Sequence, residues 1–319
     1  MIPSPVLMRE EMGVRSNAQR VFKKLRVSLT RSCNFVCPYC AHDGKPVFEK
    51  NETPVGQFIE WIQKIIGHTS IEKIRLTGGE PTLYTAITEL VNRLTKIIDA
   101  EISMTTNGHA LLKMAAPLQS AGLRAVNISL DAIDEDVFRS MGGRSFRAVI
   151  AGILHARDLG LQVKLNSTLM REMNENQILP LLQFARTEKL PLRFLELMQM
   201  GHLQYRQKSR LVSAKFILDM IRSEYNFTPL ERSVSDTAQY FRMDDGYQFG
   251  IVGNASMPFC SDCDRLRLDA TGRMFGCLSS ANGIALSSGD AEQILQAAMA
   301  LKQPLKFIGS ALVMREVGG

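Results

Sequence analysis

Six cysteines fall into two groups of three in a chain of 319 residues. Cys33, Cys37 and Cys40 form a CxxxCxxC triplet within CNFVCPYC, directly after a run that reads as a strand. Cys260, Cys263 and Cys277 form the second: CxxC, thirteen residues, then a third cysteine. Neither group can pair off internally, and a disulfide framework is out of place in a chain this long with no export signal. Thiolates suit iron–sulfur clusters, and a four-iron cube ordinarily takes four of them. A triplet supplies three and leaves one iron open to a small molecule through nitrogen and oxygen. Such an iron can pass an electron into a bound ligand. The competing chemistry is zinc, with His42 as the nearest fourth donor, but zinc sites usually show paired CxxC or CxxC with HxxxH elements. A CxxxCxxC behind a strand, with the aromatic Tyr39 before its last cysteine, fits a cluster better.

Other polar residues are placed to handle a ligand. Gly78-Gly79-Glu80-Pro81 ends a second strand-like run and alone would read as a turn. Arg265 and Arg267, between the second and third cysteines of the second triplet, point the same way if that stretch is extended. Two forked guanidiniums on one side make a phosphate receptor, although most RxR pairs are surface charges. No GxxxxGKS or GxxxxGKT loop occurs, so a triphosphate here would need side-chain cations.

Strand-like runs position these groups: LRVSLT from Leu25, KIRLTGG from Lys73, then EISMTTNG, AVNISLDAI, LQVKLNSTLM and LRFLELMQM. Helical stripes lie between them. Thr53-Pro54 predicts a threonine N-cap with proline at the first helical position, ahead of Val55, Phe58, Ile59, Ile62, Ile65 and Ile66. A second stripe from Phe146 to Leu154 precedes Gly160 as a C-cap, and HALLKMAAPLQSAG predicts a helix broken at Pro117. Six strand–helix units between residues 25 and 200 imply an α/β chain with a parallel sheet. The expected architecture is an incomplete (β/α)6 TIM-like barrel with its chemistry at the strands' C-terminal ends. A doubly wound open sheet is the alternative. The expected division is a lead-in over 1–20, the partial barrel over 21–202, and a C-terminal extension over 203–319 that binds the second cluster and closes the barrel opening.

Composition is that of a soluble globular chain, 45% hydrophobic and 22% charged. The net charge of +6 suits an anionic partner, or only a lysine-rich surface. No apolar run approaches a membrane span, and the first twenty residues lack the features of a secretory signal, so the expected location is cytoplasmic.

CNFVCPYC and GGEP resemble the radical S-adenosylmethionine superfamily. The second triplet, the RLR pair and the terminal Gly318-Gly319 narrow the resemblance to the GTP 3′,8-cyclase family of molybdenum-cofactor biosynthesis. The resemblance runs from about Leu25 to the C-terminus, with an interruption near 203–235. It implies two 4Fe–4S clusters, with S-adenosylmethionine on the open iron of the first and the guanine ring at the second. Tyr39, Gly78, Gly79, Glu80, Ser129 and Met198 would meet S-adenosylmethionine, the glycines by letting backbone carbonyls approach its ammonium. Arg26, Lys73, Arg75, Thr106, Lys164, Arg193, Arg265 and Arg267 would hold GTP; Thr105 is the alternative to Thr106. The Gly318-Gly319 tail would enter the active site. The implied reaction takes hydrogen from the 3′ carbon of GTP and joins that carbon to carbon 8 of guanine, giving (8S)-3′,8-cyclo-7,8-dihydroguanosine 5′-triphosphate.

The sequence departs from the family pattern at Ala41-His42-Asp43 after the first triplet, at Thr30-Arg31-Ser32 before it, and at Gln199. The resemblance also implies an external electron donor and, as next enzyme, the cyclic pyranopterin monophosphate synthase accessory protein. It implies no membrane or nucleic-acid partner, and a monomer or homodimer. Two other readings compete. One is a peptide-modifying radical enzyme with an auxiliary cluster, although such extensions usually carry about seven cysteines. The other is a zinc-stabilised nucleic-acid-binding protein, suggested by the basic charge.

Overall fold

The computed structural model describes residues 20–40, 44–205 and 207–318. Six strands form its frame: β1 (Lys24–Ser28), β2 (Lys73–Thr77), β3 (Glu101–Thr106), β4 (Ala125–Ser129), β5 (Gln162–Leu169) and β6 (Leu192–Glu196). They pair in sequence order, all parallel. The connections carry α1 (Val55–Ile66), α2 (Ile87–Ile97), α3 (Leu111–Ser120), α4 (Glu135–Ser140), α5 (Phe146–Asp158) and α6 (Ile178–Thr187). This is the partial barrel of six strand–helix units that the alternation implies.

The C-terminal third adds to both edges of the same sheet. After α7 (Ala214–Arg222), the antiparallel strands β7 (Phe227–Pro229), β8 (Gln239–Met243) and β9 (Gln248–Val252) attach through β9, parallel to β6. The chain then crosses to the other edge. There β10 (Arg265–Leu268) lies parallel to β1 and continues antiparallel into β11 (Arg273–Phe275) and β12 (Ile284–Ala285). The twelve-stranded sheet ends at β12 and β7, so the barrel stays open. Helices α8 (Ala291–Ala300) and α9 (Met314–Val317) complete the chain.

Alternation along each strand divides the two faces. Leu25, Val27, Ile74, Leu76, Val126 and Ile128 are fully buried and join the hydrophobic core with the helices. The intervening positions are polar: Arg26, Arg75, Ser103, Asn127, Lys164, Asn166 and Arg193. Strand pairing sets Arg267, Arg26, Arg75 and Ser103 side by side across four strands. A packed barrel fills its interior with branched apolar side chains; this one lines it with charge and amide.

Two local expectations are corrected. Pro54, in extended conformation, is the N-cap of α1, and Thr53 donates its hydroxyl to the Ala270 carbonyl at 2.6 Å, tying the helix entry to the turn after β10. Pro117 does not break α3, which runs through it to Ser120. The ring is exposed, and the hydrogen bond it forgoes would reach the exposed Lys113. Gly160, just past the end of α5, has φ +86° as its expected capping role needs.

Candidate active site

The first triplet sits on the loop after β1. That loop is held by Cys33 N–H to Val47 O (2.8 Å), by the return bond from Val47, and by Cys40 N–H to Cys37 O (2.9 Å). The GGEP segment clamps it from β2: Gly79 N–H donates to Thr30 O and Glu80 N–H to Ser32 O, both at 2.7 Å. A Cβ at Gly78 would stand 2.6 Å from Thr30 O, and one at Gly79 2.3 Å from Ser32 O. The two glycines are therefore required by the backbone carrying the cysteines, a reason the sequence did not supply.

Glu80 has a similar fate. Its buried carboxylate accepts from Thr82 and Thr106 hydroxyls and from Asn107 N–H, at 2.6 to 2.7 Å. It is consumed in joining the ends of β2 and β3 and does not line the cavity. Thr106 gives its proton to Glu80 and accepts from Gly108 N–H, so Thr105, facing inward with Ser103, is the free candidate of the pair.

All six cysteines are free thiols lining one cavity of about 300 Å³. Tyr39, Gly78, Gly79, Ser129 and Met198 line it too, as do Arg26, Arg75, Arg193, Arg265, Arg267 and both threonines. Lys73 does not. It lies at the start of β2, half exposed, paired to Glu101 at 3.0 Å. Lys164 sits just outside the lining, where burial, then Arg193 and Arg75, push its pKa down to about 8. His42, the departures at Ala41–Asp43 and Gly319 lie outside the described residues, as do residues 1–19.

The cationic wall is strained electrostatically. Burial lowers the pKa of Arg26, Arg75, Arg193 and Arg267; Arg75 and Arg267 come down to about 10, with neighbouring arginines adding repulsion. Asn166 and Asn127 aim Arg193 through bonds of 2.9 Å each. Cations crowded in a low-dielectric wall call for a polyanion between them.

The second triplet forms at the opposite end of the strands. Cys260 and Cys263 close a tight turn directly before β10, and Cys277 follows β11. Gly276, just before Cys277, is obligatory, since a Cβ there would fall 1.7 Å from Ala298 O. The site thus extends through the barrel from the strands' C-terminal ends to their N-terminal ends, further than the sequence suggested. The tail reaches the arginine row: Arg267 donates to the carbonyls of Val317 and Gly318. Gly318, at φ +76°, approaches Thr77 so closely that a Cβ would stand 2.4 Å from its Cγ2.

The donor chemistry fits iron–sulfur clusters. Burial raises the pKa of all three thiols of the first triplet, Cys33 to about 11. Such thiols keep their protons until a metal displaces them. In the second triplet burial also raises Cys260 to about 11, whereas for Cys263 burial is overcome by Arg265 and Lys302, which bring it down to about 5. Among the described residues no three His, Cys, Asp or Glu are grouped to hold a single metal ion. A cube that spreads its ligands over separate corners suits these triplets better than one zinc.

Sequence reasoning missed four residues here. Arg315 reaches the cavity and its backbone N–H meets Cys40. Asp131, its carboxyl raised to about 6 by burial, accepts from Tyr39 O–H at 2.8 Å. Phe259 lies under the Arg265 guanidinium at 5.1 Å. Lys302 contacts Cys263. Only Asp131 had a signal, as a charge closing an apolar strand.

Comparison with known proteins agrees with this geometry. The Radical SAM superfamily model matches residues 27–185, and the Molybdenum Cofactor Synthesis C model matches 190–306. The chain is 35% identical over 269 residues to a GTP 3′,8-cyclase of Aquifex aeolicus (strain VF5), covering 83% of this chain and 84% of that one. It is 35% identical over 277 residues to a GTP 3′,8-cyclase of Staphylococcus aureus (strain JH9), covering 83% and 81%. The chain belongs to the GTP 3′,8-cyclase family. Membership favours the cyclase reading over the peptide-modifying and zinc-binding ones. Among solved structures, Streptococcus suis SuiB bound to S-adenosylmethionine superposes with a TM-score of 0.64 at 13% identity, over 91% of this chain and 68% of SuiB. At that identity the likeness is one of fold. Among the described residues of this cyclase-family chain, no helix is long and apolar enough to cross a membrane.

Proposed function

We propose that this chain converts GTP to its 3′,8-cyclised dihydro product within the cavity that joins the two triplets. The observation that carries this reading is the row Arg267, Arg26, Arg75, set between two sets of three free cysteines and facing few acids. Cys33, Cys37 and Cys40 hold one 4Fe–4S cluster, and Cys260, Cys263 and Cys277 the other. A cluster held by Cys33, Cys37 and Cys40 would supply the electron that cleaves the sulfonium carbon–sulfur bond of S-adenosylmethionine to methionine and a 5′-deoxyadenosyl radical, which would take hydrogen from the 3′ carbon of GTP and leave as 5′-deoxyadenosine.

The chain's own residues do the rest. Arg26, Arg75, Lys164, Arg193 and Arg267 neutralise the triphosphate with forked or point-charge donors. Thr105 offers an inward hydroxyl to the nucleoside. Asp131 fixes the ring of Tyr39 beside the cofactor, and Gly78, Ser129 and Met198 shape the pocket around it. Arg265, stacked on Phe259, stands where the guanine end of the substrate reaches the second triplet. The Gly318 carbonyl, drawn in by Arg267, closes the cavity and shields a reactive centre from solvent. Lys73 and Glu80 act outside the contact set, Lys73 on the surface and Glu80 by positioning. The product passes to the cyclic pyranopterin monophosphate synthase accessory protein, in the cytoplasm, and an external donor reduces the clusters.

The test is anaerobic turnover of reconstituted protein with S-adenosylmethionine, GTP and a reductant. 5′-Deoxyadenosine and the cyclised nucleotide should both form, with about eight irons per chain. Formation of 5′-deoxyadenosine with GTP unchanged would remove the cyclase reading and keep the radical one. Full activity in Cys260→Ser would remove the second cluster's role.

A further inference from the structure

Lys302 belongs to no motif and lies just beyond α8, yet only 5% of it is exposed. Its ammonium donates to Cys263 Sγ at 3.1 Å and to the Arg265 carbonyl, and stands 5.3 Å from the centre of the Phe22 ring. A lysine is rarely buried this deeply without a specific partner. Here the partner is a cysteine of the second triplet. Lys302 reaches this sulfur from the end of α8, with Phe22 on the segment before β1 beside it, while Arg265, whose carbonyl it also meets, is the other cation next to Cys263.

We propose that Lys302 is a positioning residue for the second cluster that sets its reduction potential: its ammonium, hydrogen-bonded to the Cys263 sulfur, favours the reduced and more negative cluster. Hydrogen bonds and charge at ligand sulfurs are the levers by which a protein tunes such potentials. The proposal rests on the second triplet's holding a four-iron cluster, and the experiment separates the two.

The full-length chain carrying Cys33→Ser, Cys37→Ser and Cys40→Ser is reconstituted anaerobically, so that iron and the paramagnetic signal report the second cluster alone. About four irons per chain are expected in this parent; none would overturn the cluster reading itself. Lys302→Met, added to that parent, keeps the volume and removes the charge. It should retain the iron, and at the parent's midpoint potential its reduced-to-oxidised ratio should fall at least about tenfold, equal to about 59 mV for a one-electron couple. Lys302→Arg should restore most of the parent potential. Full iron with an unchanged potential in Lys302→Met overturns the proposal. If Lys302→Met fails to hold iron, Lys302→Arg decides: the parent's iron and potential support a role for the charge, and loss of iron there too assigns Lys302 to packing and overturns it.

Discussion

Gly79→Ala tests how the first triplet is held. A Cβ at Gly79 would sit 2.3 Å from Ser32 O and 2.6 Å from Arg31 O, against 3.4 Å for ordinary contact. The shortfall from Ser32 O is 3.4 − 2.3 = 1.1 Å. Both obstacles are backbone, so no rotamer change relieves them. The segment is also pinned from both sides by the 2.7 Å bonds of Gly79 and Glu80. Overpacking of this kind costs about 1–3 kcal/mol, less than the ~5–15 kcal/mol stability of a domain, so the chain should still fold. Cys33 follows Ser32 directly and should move with it by roughly an ångström, well beyond the ~0.2 Å tolerance of a metal ligand. The second triplet, at the far end of the strands, should be untouched. Iron in the reconstituted protein should fall from about eight to about four atoms per chain, and 5′-deoxyadenosine formation should fall at least ~100-fold. Gly56→Ala is the control: a Cβ in that first turn of α1 meets nothing within 4 Å, and the change should raise stability by up to ~1 kcal/mol. A Gly79→Ala protein with about eight irons and the parent rate would refute the reasoning.

The other predictions sort the remaining residues. Arg75→Ala and Lys164→Ala should each weaken GTP binding at least about tenfold by calorimetry, since a charged hydrogen bond is worth ~1.5–3 kcal/mol. Lys73→Ala, which removes only an exposed pair with Glu101, should stay within about twofold. Thr106→Val strands the buried Glu80 and should cost about 1–3 kcal/mol in a denaturation curve, whereas Thr105→Val should spare stability and weaken GTP binding. With Lys164 titrating near pH 8 in the free protein, GTP affinity should fall as pH rises from 8 to 9, and Lys164→Gln should flatten that limb; equal slopes would exclude the assignment. The sign for folding is opposite. Between about pH 8 and 10.5 the unfolded chain still binds the proton that folded Lys164 has lost, so the nucleotide-free protein gains stability with pH from this group.

The six strands were legible because each alternates an apolar residue facing the helices with a polar one facing inward, and the cysteine spacing needs no tertiary knowledge. What the sequence hid depends on distant partners. Thr53 reads as an N-cap until Ala270, more than two hundred residues away, takes its hydroxyl. Gly78 and Gly79 read as a ligand cradle until Thr30 and Ser32 fill the space a Cβ would need. Thr105 and Thr106 are equivalent by type, and only the buried Glu80 tells them apart. Lys302 carries no local signal, because its meaning comes entirely from the thiol it meets after the chain has crossed to the β10 edge of the sheet.

The pairing of β1 with β10 decides why two triplets make one site. The strands are parallel, with Lys24 opposite Arg265 and Arg26 opposite Arg267. Cys33 lies beyond the C-terminal end of β1, while Cys263 lies before the N-terminal end of β10. Cys277 returns to that same lower end, because β11 runs antiparallel and sets Phe275 opposite Arg267. One strand length therefore separates the triplets, on the order of 15 Å at ~3.3 Å per residue. Arg26, Arg75 and Arg267 occupy the middle of that span. A ligand with an anionic chain and a planar base can be gripped there by its phosphates while its ribose faces one triplet and its base the other. An antiparallel β10 in the same place would have put both triplets at one end and left the arginine row outside the gap between them. The direction of a single strand, at an edge the first six strands leave open, is what sets two cysteine triplets at the two ends of one candidate site.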